Sequence, residues 1–267
     1  MLFNLESIAT SQATQDHSIT IFVHGTYIMR KFLQLSPCRS LMYCEQGLSL
    51  AKNLPKHYHF HKMAKGCVES DEESYSLDQF YIFGWESEHV NDASRNRFAK
   101  ILVDQLHSLV VDYYELHNVI PKIRLLGFSH GGNVILRMAD HVSKYVKLQN
   151  IEIEAWLFGT PVQVITHDLV NSDCFTKIYS IYSKKDWVQR VDPQGMINRK
   201  VTKNNFWSNR TFSEDSQCLQ IELMVEGKSI KHASYNNIFQ HFPKIKKLIE
   251  KTYEDTESNM MKVDFKE

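Results

Sequence analysis

Short runs of β-branched and aromatic residues alternate along this chain with longer stretches whose apolar residues recur every three or four positions. A run that is apolar throughout needs cover on both faces, and amphipathic helices between such runs supply it. The expected result is an α/β fold with a mostly parallel central sheet. The runs read as strands are 18–24 (SITIFVH), 79–84 (QFYIFG), 122–128 (KIRLLGF), 151–158 (IEIEAWLF), 175–182 (FTKIYSIY) and 218–225 (CLQIELMV). Between them the periodicity predicts helices from Ala93 to about Leu116, from near His130 to about Lys147, and from about Tyr235 to Tyr253. Residues 27–77 show no clear strand, only an amphipathic stretch over 41–54 and an acidic turn over 69–73.

The organisation expected is one domain over residues 1–255, with about six to seven strands and a cap-like or lid-like insertion at about 27–78. Residues 256–267 read as a charged, frayed tail. Lys plus Arg and Asp plus Glu number 31 each, so the chain carries no bulk charge with which to wrap a polyanion. No basic-aromatic motif points to nucleic acid either. With 43% hydrophobic residues there is ample material for a core. The first residues lack the basic start and apolar run of a secretory signal, and no apolar run approaches the length of a membrane span. Five cysteines without CxxC spacing read as free thiols in a reducing compartment. The default expectation is a cytoplasmic protein, with signal-independent export left open. Oligomeric state is not legible.

The chemistry is concentrated in Gly127-Phe128-Ser129-His130-Gly131, a G-x-S-x-G pattern standing between a strand and a helical period. A serine on such a sharp turn presents its hydroxyl at the start of a helix, where free N–H groups and the helix dipole favour developing negative charge. Small residues two positions either side, Gly127 and Gly131, let the turn close. A serine hydroxyl is a weak nucleophile and needs a base, and the base needs an orienting carboxylate. On a sheet of this kind the partners follow in the order serine, acid, histidine. Asp186 stands just past the strand 175–182 and is the candidate acid, with Asp192 as the alternative. Only His232 and His241 lie beyond Asp186, and His232 is the candidate base because it sits between the last strand and the last helix. The two N–H donors of an oxyanion hole are expected from His130 and from Thr26, in the loop after the first strand. His24 and Gly25 support that loop, His24 as a buried hydrogen-bonded side chain. The alternation of His57, His59 and His61 would place three imidazoles on one face of an extended segment, but no carboxylate or cysteine stands where a metal site needs one. No metal is expected.

The pieces FVHGT (22–26), GFSHGGN (127–133), FGTP (158–161), SKKDWV (183–188) and KHASY (231–235) occur in one order over about residues 18–250. On these pieces the chain resembles the lipase and esterase branch of the α/β-hydrolase superfamily. The resemblance implies helices on both faces of the sheet and a serine hydrolase without a cofactor, with Ser129 as nucleophile, Asp186 as acid and His232 as base. It also implies that FGTP lines the cleft near the serine. FGWES and RNRFAKILVDQL are similar to the strand and arginine-bearing helix of lipase-like proteins. The substrate implied is a small-molecule or lipid ester. An acyltransferase or thioesterase would use the same triad, and a non-catalytic binding module on this scaffold is a further alternative. Apolar and basic residues over 30–54 suggest a lid, a packed cap or peripheral membrane contact. A second segment, 189–217, suggests a mouth over the site.

Overall fold

A computed structural model describes residues 17–26, 44–88, 91–194, 206–254 and 258–266, to which every structural statement below refers. Nine strands form one sheet: β1 Ser18–Val23, β2 Gly47–Leu50, β3 Phe80–Gly84, β4 Lys122–Phe128, β5 Ile153–Phe158, β6 Lys177–Tyr182, β7 Leu219–Val225, β8 Lys228–Ser229 and β9 Met260–Phe265. The order is β2-β3-β1-β4-β5-β6-β7, with β8 and β9 both paired to β7. β3, β1, β4, β5, β6, β7 and β9 run parallel, while β2 and β8 are antiparallel to their partners. The six strands read from the sequence are all present, within two residues at either end.

The four longer helices are α1 His59–Ser70, α2 Asp92–His117, α3 His130–Arg137 and α4 Phe242–Glu254. Side chains alternate across each strand, which divides the core in two. Ile19, Ile21 and Val23 face one side, where they join Phe98, Leu102 and Leu106 of α2 and Val134 of α3. Phe22 faces the other side, with Phe60 of α1 and Ile245 of α4. Every residue of β1 and β5, and every residue of β4 but Lys122, is buried, as a strand covered on both faces requires.

Residues 47–50, within the stretch read as strandless, form the antiparallel edge strand β2, and 41–43 lie outside the described residues. β2 is short and half-buried, so the apolar run that marks a central strand is missing. The helix expected from His130 to about Lys147 ends at Arg137, followed by separate turns over 138–140, 142–144 and 146–149. The chain leaves helical geometry at His141, whose ring bonds Asn96 of α2 at 2.8 Å. The last helix begins at Phe242, after short turns over 235–241, because Pro243 lacks an N–H and is tolerated only in a first turn.

The tail is the largest departure. Residues 260–265 are not frayed but form β9, parallel to β7 from Gln220↔Met260 to Val225↔Phe265. Met261, Val263 and Phe265 are buried while Met260, Lys262 and Asp264 are exposed. Its lysine, aspartate and methionines hide a period-two pattern that local composition reads as a solvated tail.

β8 has a positional role. β9 pairs along one edge of β7 over 220–225, so β8 must take the other edge, beyond the last β6 pair at Tyr182↔Glu222. The two-residue connection Glu226-Gly227 has positive φ at both residues (50° and 72°), the hairpin turn whose twist matches the strands. It returns the chain to Ser183, whose hydroxyl accepts the Ile230 N–H at 2.8 Å. His232 follows two residues later.

Candidate active site

Ser129 lies between β4 and α3 with φ 52° and ψ −129°, a conformation that L residues rarely adopt. Its N–H donates to Phe158 O at 2.8 Å, which ties the turn to the end of β5. Gly25 lies against the serine: a Cβ there would stand 2.9 Å from Ser129 Cβ. The loop after β1 therefore packs against Ser129 only because position 25 has no side chain. Gly127 and Gly131 leave room for different neighbours. A Cβ at Gly127 would meet Gly132 Cα at 2.7 Å, while one at Gly131 would meet Val23 O at 2.2 Å and His24 O at 2.5 Å. Gly131→Ala thus drives a methyl into the fixed carbonyls ending β1. A loss of about 1–3 kcal/mol is expected, typical of overpacking, and read as a lowered urea midpoint. An unchanged midpoint would contradict the contact.

Asp186 is fully buried just beyond β6. Its Oδ2 accepts from His232 Nδ1 at 2.8 Å, and its Oδ1 accepts the Gln189 N–H at 3.3 Å. A carboxylate accepts, so Nδ1 carries the proton and the neutral ring keeps its Nε2 lone pair free. Arg210 clamps the same loop, one guanidinium nitrogen donating to Lys184 O and Asp186 O at 3.0 Å each. The His232 ring stacks on Phe128, the residue before Ser129, with centroids 4.9 Å apart. Ser129, Asp186 and His232 are therefore gathered at the carboxyl edge of β4, β5 and β6, where open α/β sheets hold ligands. No hydrogen bond joins Ser129 Oγ to His232 among the described residues; such bonds commonly tighten only around substrate.

His130 follows Ser129 in the chain, and Thr26 follows Gly25, the residue packed against it. His130 is the first residue of α3, so its N–H is one of the helix-start donors. Thr26 follows Gly25, and its hydroxyl is buried without a partner. His24 is buried between Phe60 and Trp85, ring centroids 6.1 and 6.0 Å away. Its Nδ1 donates to Gly25 O at 2.7 Å, and Trp85 Nε1 donates to His24 O at 2.8 Å. Beyond β5, the Thr160 side chain abuts Gly132, and Asn133 Nδ2 donates to Pro161 O at 3.0 Å, which holds the GTP turn against α3.

Sequence reading missed what surrounds His130. Its Nδ1 faces Arg95 Nη1 at 3.2 Å and its Nε2 faces Asp192 Oδ1 at 3.2 Å. Gln163 closes the ring, accepting from Arg95 Nη2 at 2.8 Å and donating to Asp192 Oδ2 at 2.6 Å. All four side chains are buried. Asp192, the alternative acid, thus serves His130 and not His232. Tyr235 was also missed; its hydroxyl is buried without a partner, and burial, then the charge of Asp186, pushes its pKa well up.

Burial lowers the His130 pKa from its ordinary 6.5; the bond to Asp192 opposes this and the charge of Arg95 adds to it. For Asp192, burial alone would raise the pKa from its ordinary 3.8. The hydrogen bond and charge of His130, the bond from Gln163 and the charge of Arg95 outweigh it, and the net shift is downward. Both groups hold more protons unfolded than folded in acid, so stability rises with pH. The His130 part is complete above about pH 6.5 and fades as pH falls toward its lowered folded value; the Asp192 part survives to lower pH. Thermal melts from about pH 7 to about pH 5 should show a steeper fall in Tm for wild type than for His130→Gln, which cannot titrate. Parallel curves would contradict this.

The histidine alternation does not form an extended face. His59 and His61 lie in α1, and the His61 ring bonds Ala51 O at 2.9 Å. Among the described residues no group of three metal-ligating side chains occurs. Residues 30–43 of the candidate membrane segment lie outside the described residues, while Ala51 beside β2 is buried in the core. No helix among the described residues is long and apolar enough to cross a membrane.

The strand order β3-β1-β4-β5-β6-β7, all parallel, and a positive-φ serine between its third strand and the next helix are the marks of one architecture. The fold is of the α/β-hydrolase kind. No protein-family model matches the chain, and no curated protein matches it. Among solved structures it is similar to a hyperthermophilic esterase from the archaeon Pyrobaculum calidifontis, at 10% identity and a TM-score of 0.38, over 94% of this chain and 68% of that one. It is also similar to a lipase-esterase related protein from Clostridium acetobutylicum, at 12% identity and a TM-score of 0.31, over 94% and 86%. A rice cell wall degrading esterase from Xanthomonas oryzae aligns at 10% identity and a TM-score of 0.34, over 94% and 74%.

Proposed function

We propose that the chain is a serine hydrolase that cleaves a carboxylic ester through an acyl-enzyme. The observation that carries this reading is the conjunction of a strained Ser129 with a buried Asp186–His232 pair stacked on the residue before it. In this reading Ser129 Oγ attacks the ester carbonyl carbon and its proton passes to His232 Nε2. Asp186 holds Nδ1–H and stabilises the imidazolium. The oxyanion is received by the N–H groups of His130 and Thr26. His232 then protonates the leaving alcohol, and a water molecule, deprotonated by the same ring, releases the acid and restores Ser129. Every step moves a proton or an acyl group, so the side chains present complete the cycle without a cofactor.

The exposed residues beside Asp186 bear on the substrate. Trp187 is 65% exposed and Trp207 52%, with Val188 and Val191 also exposed between them in the chain. Apolar surface beside a serine site suits an ester with an apolar acyl or alcohol part, a small molecule or a lipid. Hydrolysis of p-nitrophenyl esters from acetate to laurate by wild type tests the reading, with added alcohol in parallel to detect acyl transfer. Turnover above the Ser129→Ala background is expected. No release from any ester, by a protein shown to be folded, would contradict it.

A further inference from the structure

We infer that the closed ring Arg95–His130–Asp192–Gln163 is a positioning device for the oxyanion donor. The inference rests on the hydrolase reading above and assigns four further residues to that site. Each comes from a different place: the first turn of α2, the first residue of α3, the loop after β5 and the stretch following Asp186. Nothing in the proton relay uses them, and His130 has no free ring nitrogen with which to act as a second base.

The donors and acceptors match in only one arrangement. A guanidinium only donates, so His130 Nδ1 must accept from Arg95. A carboxylate only accepts, so Nε2 must carry the proton and donate to Asp192. The ring is then neutral and held at both nitrogens. Gln163 obeys the same logic, its oxygen accepting from Arg95 and its nitrogen donating to Asp192. One positive and one negative charge are enclosed, so the ring is neutral overall. A residue gripped at both side-chain nitrogens has little freedom to tilt its own peptide. That peptide carries the N–H that faces the forming oxyanion. Asp192 also anchors Ser208, whose N–H donates to Asp192 O at 3.1 Å while its hydroxyl donates to Gln189 O at 2.6 Å. Gln189 in turn donates its N–H to Asp186. The same ring therefore links the serine turn to the loop of the acid.

The test compares His130→Leu with His130→Gln by the rate of serine labelling with a fluorophosphonate, on protein shown folded by circular dichroism. Leucine removes both ring contacts; glutamine again offers one acceptor and one donor. His130→Leu should label at least about tenfold more slowly, with KM for a short ester unchanged, and His130→Gln should recover most of the rate. A folded His130→Leu that labels like wild type, or a His130→Gln as slow as His130→Leu, overturns the inference. Ring nitrogen shifts of wild type at neutral pH give a readout independent of any variant's folding. A neutral Nε2–H ring is expected for His130, and a cationic or Nδ1–H ring overturns it. Wild type that fails to label at all removes the hydrolase reading and this inference together, whereas labelled wild type with an indifferent His130→Leu removes only the inference.

Discussion

Ser129→Ala is expected to lower kcat by about a millionfold while leaving the fold intact, because removal of the attacking oxygen leaves only binding and oxyanion stabilisation. The variant keeps the strained turn, since alanine at φ 52° gains nothing over serine. Ser129→Gly makes a sharper distinction. It is equally inactive, but glycine adopts that conformation freely, so strain of about 1–3 kcal/mol is relieved and the melting temperature should rise relative to Ser129→Ala. Inactivity with a gain in stability at one residue is what a turn strained for function produces. Equal stability of the two variants would show that the turn is not strained, and residual turnover in Ser129→Ala would move the nucleophile elsewhere.

The second large effect belongs to Asp186→Asn. The asparagine fills the same buried space, but its amide nitrogen can only donate to His232 Nδ1, which forces the proton onto Nε2. The ring can then no longer take the serine proton, and kcat should fall by about 10⁴ with KM retained. Asp192→Asn distinguishes the two carboxylates. It leaves the Asp186–His232 bond untouched and disturbs only the ring around His130, so its loss of rate should be much the smaller. Equal losses in the two variants, or a greater one for Asp192→Asn, would reverse the assignment of the acid.

Much of the fold was legible because central strands are covered on both faces and therefore continuously apolar. The run 122–128 matches β4 to the residue, and the chain order serine, acid, histidine leaves two of the thirteen histidines beyond Asp186. What escaped notice shares one physical cause: it depends on partners distant in sequence. β9 carries Lys262 and Asp264 on its uncovered face, and its strand character exists only against β7. β2 lies at an edge and is too short to stand out. The start of α4 is the exception, because Pro243 signals it locally while the apolar periodicity runs on through it. Around the site, Arg95 lies on the buried face of α2 with Phe98, Ala99 and Leu102, but a charged residue does not by itself signal burial or name its partner. Only the approach of α2, α3 and the stretch after Asp186 brings Arg95, His130 and Asp192 together. Chain order offers Asp192 as an alternative acid, Pro193 after it suggests a turn, and neither says which histidine a carboxylate meets.

The measurement that tests the central claim most directly is the mass spectrum of the protein after reaction with a fluorophosphonate, followed by peptide mapping. One adduct per chain, located on Ser129 and absent from Ser129→Ala, is expected. A folded protein that remains unmodified beside a labelled control hydrolase, or an adduct on any other residue, would contradict it.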